Sequence, residues 1–113
     1  MQKKVTLVIL LLVIALVGIL LIPRKPVDQT QSIRESCKNL CVQTLNSGMD
    51  LTNGPCLSDN NPDWTYEDWV CDVAHWPRED VDNQPENQCQ EFRSGNAHHF
   101  VEVNPSCEYI RHY

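Results

Sequence analysis

Three histidines near the C-terminus are the residues whose chemistry is clearest from type and spacing. If the chain turns at residues 104–106, His112 lies across an antiparallel strand pair from His98, and a turn one residue shorter places it across from His99. Imidazole nitrogens are common ligands of zinc and copper. The spacing therefore predicts a zinc or copper site at His98, His99 and His112. The simpler alternative is an exposed histidine pair on the outer face of a sheet.

Six cysteines are distributed along residues 37–107. An even number of cysteines predicts disulfides outside the cytosol, here three bridges with fifteen connectivities open. Cys37 and Cys41 are one helical turn apart, so their side chains point the same way and each is expected to reach a different partner. The predicted disulfide residues are Cys37, Cys41, Cys56, Cys71, Cys89 and Cys107.

A cysteine nucleophile with a histidine base is the enzyme chemistry that these residues could supply. Only eight residues separate Cys89 from His98, and cysteine hydrolases place many more between the pair. A free Cys89 thiol would also leave an odd cysteine. No C-x-x-C redox motif or paired zinc knuckle is present. We therefore predict no catalytic residue, no enzyme activity, and no cofactor beyond the zinc or copper named above.

The N-terminal segment predicts a membrane anchor. Residues 5–22 are almost entirely hydrocarbon and would span about 27 Å as a helix, close to the thickness of a bilayer core. A signal peptide has a shorter apolar stretch and a small-x-small cleavage site close behind it. The best such site, Thr30-x-Ser32, lies far downstream of Ile22. We expect an uncleaved signal anchor at residues 1–22, with a cleaved, secreted module as the alternative.

Charge and cysteine content divide the chain into three parts. Residues 1–25 carry four basic residues and no acid, whereas residues 26–113 carry five basic and fifteen acidic residues, a net charge of −10. Such a domain repels nucleic-acid phosphates, so no nucleic-acid partner is expected. Disulfides persist outside the cytosol, which places the acidic part there. The predicted organisation is an anchor at 1–22, a proline-containing polar linker at 23–31 and an extracytoplasmic domain at 32–113.

Large apolar side chains are scarce outside the anchor. Leu, Ile, Val and Phe number 15 among the 91 residues that follow Ile22, and a soluble chain of that composition is normally disordered. Three disulfides, at roughly 2–4 kcal/mol each, are expected to replace the missing core. Trp64, Trp69 and Trp76 are expected to contribute to the core, with an aromatic platform for sugars or peptides as the alternative.

Two helices are predicted in the domain. Ser32-Ile33-Arg34-Glu35 matches the capping box, in which Ser and Glu satisfy orphan backbone N–H groups. This helix would run to about Asn46, where Gly48 is placed to end it. A second helix would begin at Asn61-Pro62 or at Thr65 and stop before Pro77, because apolar residues between these points recur at helical spacing.

The last 25 residues predict strands. The segments 89–93, 97–103 and 107–113 are separated by turn residues at 94–96 and 104–106. The predicted fold class is α+β: an N-terminal transmembrane helix followed by a small disulfide-rich domain with two short helices and a three-stranded antiparallel β-meander.

Three segments resemble parts of small cysteine-rich secreted or membrane-anchored proteins of archaea. They are Cys71-Asp72-Val73-Ala74-His75, Pro85-Glu86-Asn87-Gln88-Cys89 and Ala97-His98-His99-Phe100-Val101-Glu102-Val103. The resemblance covers most of residues 32–113 and implies an extracytoplasmic location. It implies no activity and no site.

These observations together favour a single-pass membrane protein with its C-terminal domain outside the cytoplasm. The expected role is binding or structural at the cell surface, with a protein or glycan as partner and residues 5–22 in the membrane. Two alternatives are open: a secreted module of the same fold, and a metal-binding protein or metal-dependent enzyme that uses the C-terminal histidines.

Overall fold

Helices and one mixed sheet make up the regular structure of residues 1–113, all of which the computed structural model describes. Two short 3₁₀ turns, Asp80–Asn83 and Pro85–Asn87, lie between the first strand and the third helix. In chain order the main elements are α1 Gln2–Leu20, α2 Gln29–Asn46, β1 Trp69–Val73, α3 Gln90–Arg93, β2 His99–Val103 and β3 Tyr109–His112. The α+β class and the N-terminal apolar helix are confirmed, whereas the all-antiparallel meander is wrong.

Helix α1 is the apolar segment that the sequence predicts as an anchor. Its 19 residues include no buried side chain, and an α-helix of that length extends about 28 Å. It is long and apolar enough to cross a membrane. The rest of the chain forms its own core, which contains no residue of α1.

Helix α2 begins earlier than its capping box predicts. Asp28 caps the helix, because its Oδ1 accepts a hydrogen bond from the Thr30 amide at 3.1 Å. Ser32 therefore lies inside the first turns, and its hydroxyl lies 3.3 Å from the hydroxyl of Tyr66. The predicted start at Ser32 is wrong. The predicted end at Asn46 is confirmed, with Gly48 at a φ of +90° just beyond it.

One face of α2 covers the inner face of the sheet. The buried residues of the helix are Ile33, Cys37, Leu40 and Cys41, which recur at helical spacing. They share a core with Cys71 and Val73 of β1 and Val101 and Val103 of β2. The 3.6-residue period of the sequence predicts a face that also includes Thr44 and Leu45. The prediction is confirmed at the four buried positions and is wrong at Leu45, which is 43% exposed.

Three disulfides cross-link the domain, and no cysteine is free. Cys37 is joined to Cys71 and Cys41 to Cys107, so the two helical cysteines reach different partners as predicted. Both bridges fasten α2 to the sheet side of the core. The third bridge, Cys56–Cys89, ties the loop before β1 to the start of α3.

Strand β1 replaces the second predicted helix. Trp69, Val70 and Val73 fit helical spacing, but a short run such as this also fits a strand buried on both faces, as Val70–Val73 are here. Short apolar runs are ambiguous between the two periods. Pairing with β2 and the Cys37–Cys71 disulfide favour the strand, so the helix prediction is wrong.

Helix α3 replaces the first predicted strand of the meander. The Asp59 carboxylate accepts hydrogen bonds from the amides of Gln90 at 2.6 Å and Glu91 at 3.5 Å, and so caps the helix from a distant loop. Gly95, at a φ of +82°, then turns the chain into β2. The turn at 94–96 is real, but it joins a helix to a strand.

The sheet order is β1-β2-β3, with β1 parallel to β2 and β2 antiparallel to β3. Val101 pairs with His112 and Glu102 with Arg111, and a bulge follows between Glu102 and Val103. The predicted register, with His112 opposite a histidine, is therefore wrong. Five residues separate the paired Val103 and Tyr109, more than the predicted turn allows, and the bulge shifts the pairing by one further residue.

Candidate functional site

A cleft of about 370 Å³ lies on the face of the sheet opposite α2. This volume is within the range of small-molecule sites, about 300–1,000 Å³. All three strands and residues 88–93 contribute to its lining. The charged lining residues are Asp72, Arg78, Arg93, Glu102 and Arg111.

Strand period and parallel pairing together place two acids side by side in this cleft. Alternate residues of a strand point to opposite faces, so Asp72 lies on the face away from Cys71 and Val73. Asp72 is the register partner of Glu102 on β2. Their residues are only 9% and 6% exposed, respectively, which is unusual for carboxylates.

Glu102 is paired with two arginines. Its Oε2 accepts a hydrogen bond from Arg111 Nε at 2.7 Å, and its Oε1 accepts one from Arg78 at 3.2 Å. The hydrogen bond and the negative charge of Glu102 raise the pKa of Arg111 above its ordinary value. Each oxygen of the Glu102 carboxylate therefore has a guanidinium donor.

Arg78 is fixed by the segment that follows β1. Its Nε donates to Asn83 Oδ1 at 2.7 Å and its Nη2 donates to the Asp82 carbonyl at 3.1 Å. Burial raises the pKa of Asp82, but hydrogen bonds from the amides of Glu79 and His75 and from the His75 ring outweigh it, so this pKa lies below its ordinary value. Arg78 thus approaches Glu102 from an ordered loop.

Asp72 has no such partner. Its Oδ1 is buried and makes no hydrogen bond. Burial first, and then the negative charge of Glu102, raise the pKa of Asp72 to about 8, although the positive charge of Arg78 opposes this. At neutral pH the Asp72 carboxyl therefore carries a proton and can donate a hydrogen bond.

Apolar side chains line the rest of the cleft. Phe92 and Phe100 meet edge to face, with ring centroids 5.2 Å apart, and Val70 lies beside Phe100 in the strand register. Arg93, next to Phe92 on α3, forms no ion pair with any acidic side chain. The cleft therefore combines an apolar surface with one unpaired guanidinium.

The charge of the cleft is opposite to that of the domain. With Asp72 neutral, three arginines face the single charge of Glu102, a local charge of +2 in a domain of −10. Low-dielectric walls strengthen such a local charge. This arrangement suits an organic anion, and it lacks a free general base beside the Asp72 acid.

The predicted metal ligands fall into two separate groups. His98 Nδ1 is hydrogen-bonded to Asp68, and His99 Nε2 lies 3.6 Å from the other oxygen of that carboxylate. His112 is instead hydrogen-bonded to the hydroxyl of Tyr109. The hydrogen bond from His98 holds the pKa of Asp68 below its ordinary value. Zinc or copper binding at these histidines stays a prediction.

A different trio of metal-type ligands converges at Cys56, Asp72 and Cys89, within 4.8 Å of one another. The two sulfur atoms form a disulfide, so no thiolate is available as a ligand. The same bridge removes Cys89 as a nucleophile. The disulfide acts here as part of the wall around Asp72.

The tryptophans divide between core and surface. Trp64 and Trp69 are partly buried and pack against the main core, as predicted. Trp76 is 73% exposed, so its predicted core position is wrong. It lies in the loop that follows β1.

The sequence predictions missed the cleft residues. Two features of the sequence could have indicated the cleft. Each of the segments Trp69–Val73 and His99–Val103 has one acid among apolar residues, and three of the five basic residues of the acidic domain line the cleft. No family model, curated protein or solved structure matches the chain. The resemblance to archaeal cysteine-rich proteins stays a hypothesis, and the site depends on its geometry alone.

Proposed function

We propose that the chain is a single-pass membrane protein whose extracytoplasmic domain binds a small organic anion. The observation that carries this proposal is the cleft, in which the unpaired Oδ1 of buried Asp72, the unpaired Arg93 and several apolar side chains line one cavity. Natural binding sites are concave and mostly apolar with a few convergent polar groups. Buried polar groups left unsatisfied in a folded domain call for an explanation, and a ligand supplies one.

The membrane location is supported by α1 and by the disulfides. Helix α1 has 19 residues and no buried side chain, and an apolar helix of that length is stable in the hydrocarbon core of a bilayer. Three disulfides without a free thiol suit an oxidising compartment. The short segment between α1 and α2 would hold the domain close to the membrane surface.

The secreted alternative conflicts with the start of α2. Cleavage behind Ser32 would remove the Asp28 cap and the first turn of the helix, which costs about 0.5–2 kcal/mol for the cap alone. N-terminal sequencing of the mature protein tests this point. A sequence that starts at residue 1 or 2 is expected, and a start near Gln31 or Ile33 would refute the anchor.

Binding is tested on the full chain in phosphatidylcholine nanodiscs by isothermal titration calorimetry. We expect saturable binding of carboxylate probes, such as acetate and benzoate, and none of benzylamine, a cation. Arg93→Gln should weaken anion binding, whereas Lys38→Gln, the same charge change on the exposed side of α2, should not. Absence of binding for every anion tested would refute the proposed function.

A further inference from the structure

The apolar part of the cleft narrows the class of anion. Phe92 and Phe100 present ring surfaces and edges at a centroid distance of 5.2 Å. Phe100 is itself held by Tyr113, stacked at 5.9 Å, and by the Arg111 guanidinium 5.3 Å from its ring centroid. Aromatic rings prefer edge-to-face or offset contacts with other rings. A ligand with a flat ring would extend this aromatic cluster.

The polar part of the cleft favours a carboxylate. An arginine fork matches the two oxygens of a carboxylate, and Arg93 is the one cleft arginine without an ion-pair partner. A protonated Asp72 carboxyl offers a hydrogen-bond donor to a carboxylate oxygen, and the two groups would share one proton. A small anion of single charge also fits a local charge of only +2.

We propose that the ligand is an aromatic monocarboxylate, bound with its ring against Phe92 and Phe100 and its carboxylate between Arg93 and the unpaired Oδ1 of Asp72. This inference rests on the proposed function and names its ligand class. It implies that binding weakens when Asp72 loses its proton, since two carboxylates would then face each other.

Several charged groups surround Asp72 and enter this pH dependence. Glu102 on β2 faces it with a negative charge, and Arg78 and Asp82 face it from the segment after β1. Arg111 on β3 and Arg93 on α3 complete the charged lining. Arg78 and Arg111 donate hydrogen bonds to Glu102, and amide donors lower the pKa of Asp82. Burial raises the pKa of Asp72 to about 8, within the range that the experiment covers.

The first experiment compares three probes by calorimetry on the full chain in phosphatidylcholine nanodiscs, with empty nanodiscs as the blank. Benzoate should bind at least about tenfold more tightly than acetate, which lacks the ring, and than benzyl alcohol, which lacks the charge. Equal binding of acetate and benzoate would overturn the aromatic part of the inference and leave the anion-binding function standing. Tighter binding of benzyl alcohol would overturn both.

The second experiment measures the benzoate affinity against pH. If only the protonated form binds, a pKa of about 8 predicts a dissociation constant about tenfold larger at pH 9 than at pH 7. Asp72→Asn keeps the shape and a hydrogen-bond donor without a titrating proton, so its affinity should be flat over this range. Lys38→Gln should keep the wild-type profile. A flat wild-type profile would overturn the role of Asp72 even if the asparagine variant fails to fold.

Discussion

The buried Asp72 carboxyl should make the domain less stable as the pH rises through the neutral range. Its pKa lies near 8 in the folded chain and near 3.8 in the unfolded chain. Between these values the folded state holds a proton that the unfolded state has released. A raised carboxyl pKa therefore opposes folding, with no effect below pH 3.8, a growing effect up to about pH 8 and a constant effect above it. Asp72→Asn removes this titration.

The size of the effect follows from the separation of the two pKa values. Each pH unit inside the window changes the free energy of unfolding by about 1.4 kcal/mol. Because pH 7 lies just over three units above the unfolded pKa, Asp72 opposes folding at this pH by on the order of 4 kcal/mol. The carboxyls with lowered pKa, Asp50, Asp68 and Asp82, act in the opposite direction. Their contributions are lost only as the pH falls below about 4, outside this window.

Urea unfolding of the full chain in a mild detergent, with disulfides intact, measures this effect at pH 5, 6, 7 and 8. The fluorescence of Trp64, Trp69 and Trp76 reports on the domain alone, since α1 contains no tryptophan. The stability advantage of Asp72→Asn over wild type should grow by about 1.4 kcal/mol per pH unit up to pH 7 and by about 1 kcal/mol between pH 7 and pH 8, where the folded carboxyl begins to lose its proton. Asp63→Asn, which removes an exposed carboxylate before β1, should show no such growth. Parallel curves for wild type and Asp72→Asn would refute the raised pKa.

Three further predictions concern the scaffold around the cleft. Gly54 has a φ of +68°, and a Cβ there would lie 2.7 Å from a side-chain oxygen and 2.9 Å from a backbone oxygen. Gly54→Ala should therefore lower the urea midpoint by the equivalent of about 1–3 kcal/mol, and an unchanged midpoint would contradict this. The Cys41–Cys107 bridge spans 66 residues, so replacing both cysteines with serine should lower the free energy of unfolding by about 4 kcal/mol in the same assay. The denatured, unreduced wild-type chain should show no thiol that reacts with a labelling reagent. Two or more reactive thiols per chain would contradict three bridges.

The features predictable from the sequence are those set by local spacing. The apolar segment at 5–22 and the buried face of α2 follow from composition and from a 3.6-residue period. The separate partners of Cys37 and Cys41 follow from helix geometry, since side chains one turn apart point the same way. The start of α2 did not follow from local spacing, because Asp28 rather than Ser32 caps the helix.

The features that could not be predicted depend on contacts between distant segments. Trp69–Val73 fits both helical and strand periods, and only the parallel partner 30 residues later decides between them. Residues 90–93 form a helix because Asp59, in the loop that precedes β1 in the sequence, accepts hydrogen bonds from the first two amides of this helix. The cleft could not be predicted for the same reason, because Asp72 and Glu102 become neighbours only when β1 and β2 pair in parallel.

The disulfides stabilise the domain against the destabilising effect of the buried acid in the cleft. A domain with so few aliphatic residues has little stability to spare for a buried acid with an unpaired oxygen, which opposes folding by on the order of 4 kcal/mol at pH 7. One bridge stabilises by roughly 2–4 kcal/mol, so the cross-links offset this burden as well as the thin core. Cys56–Cys89 lies directly beside the Asp72 carboxyl and fixes the start of α3, which carries Phe92 and Arg93. Local rules of stability are broken chiefly at functional sites, which favours the cleft as the part of the domain that binds.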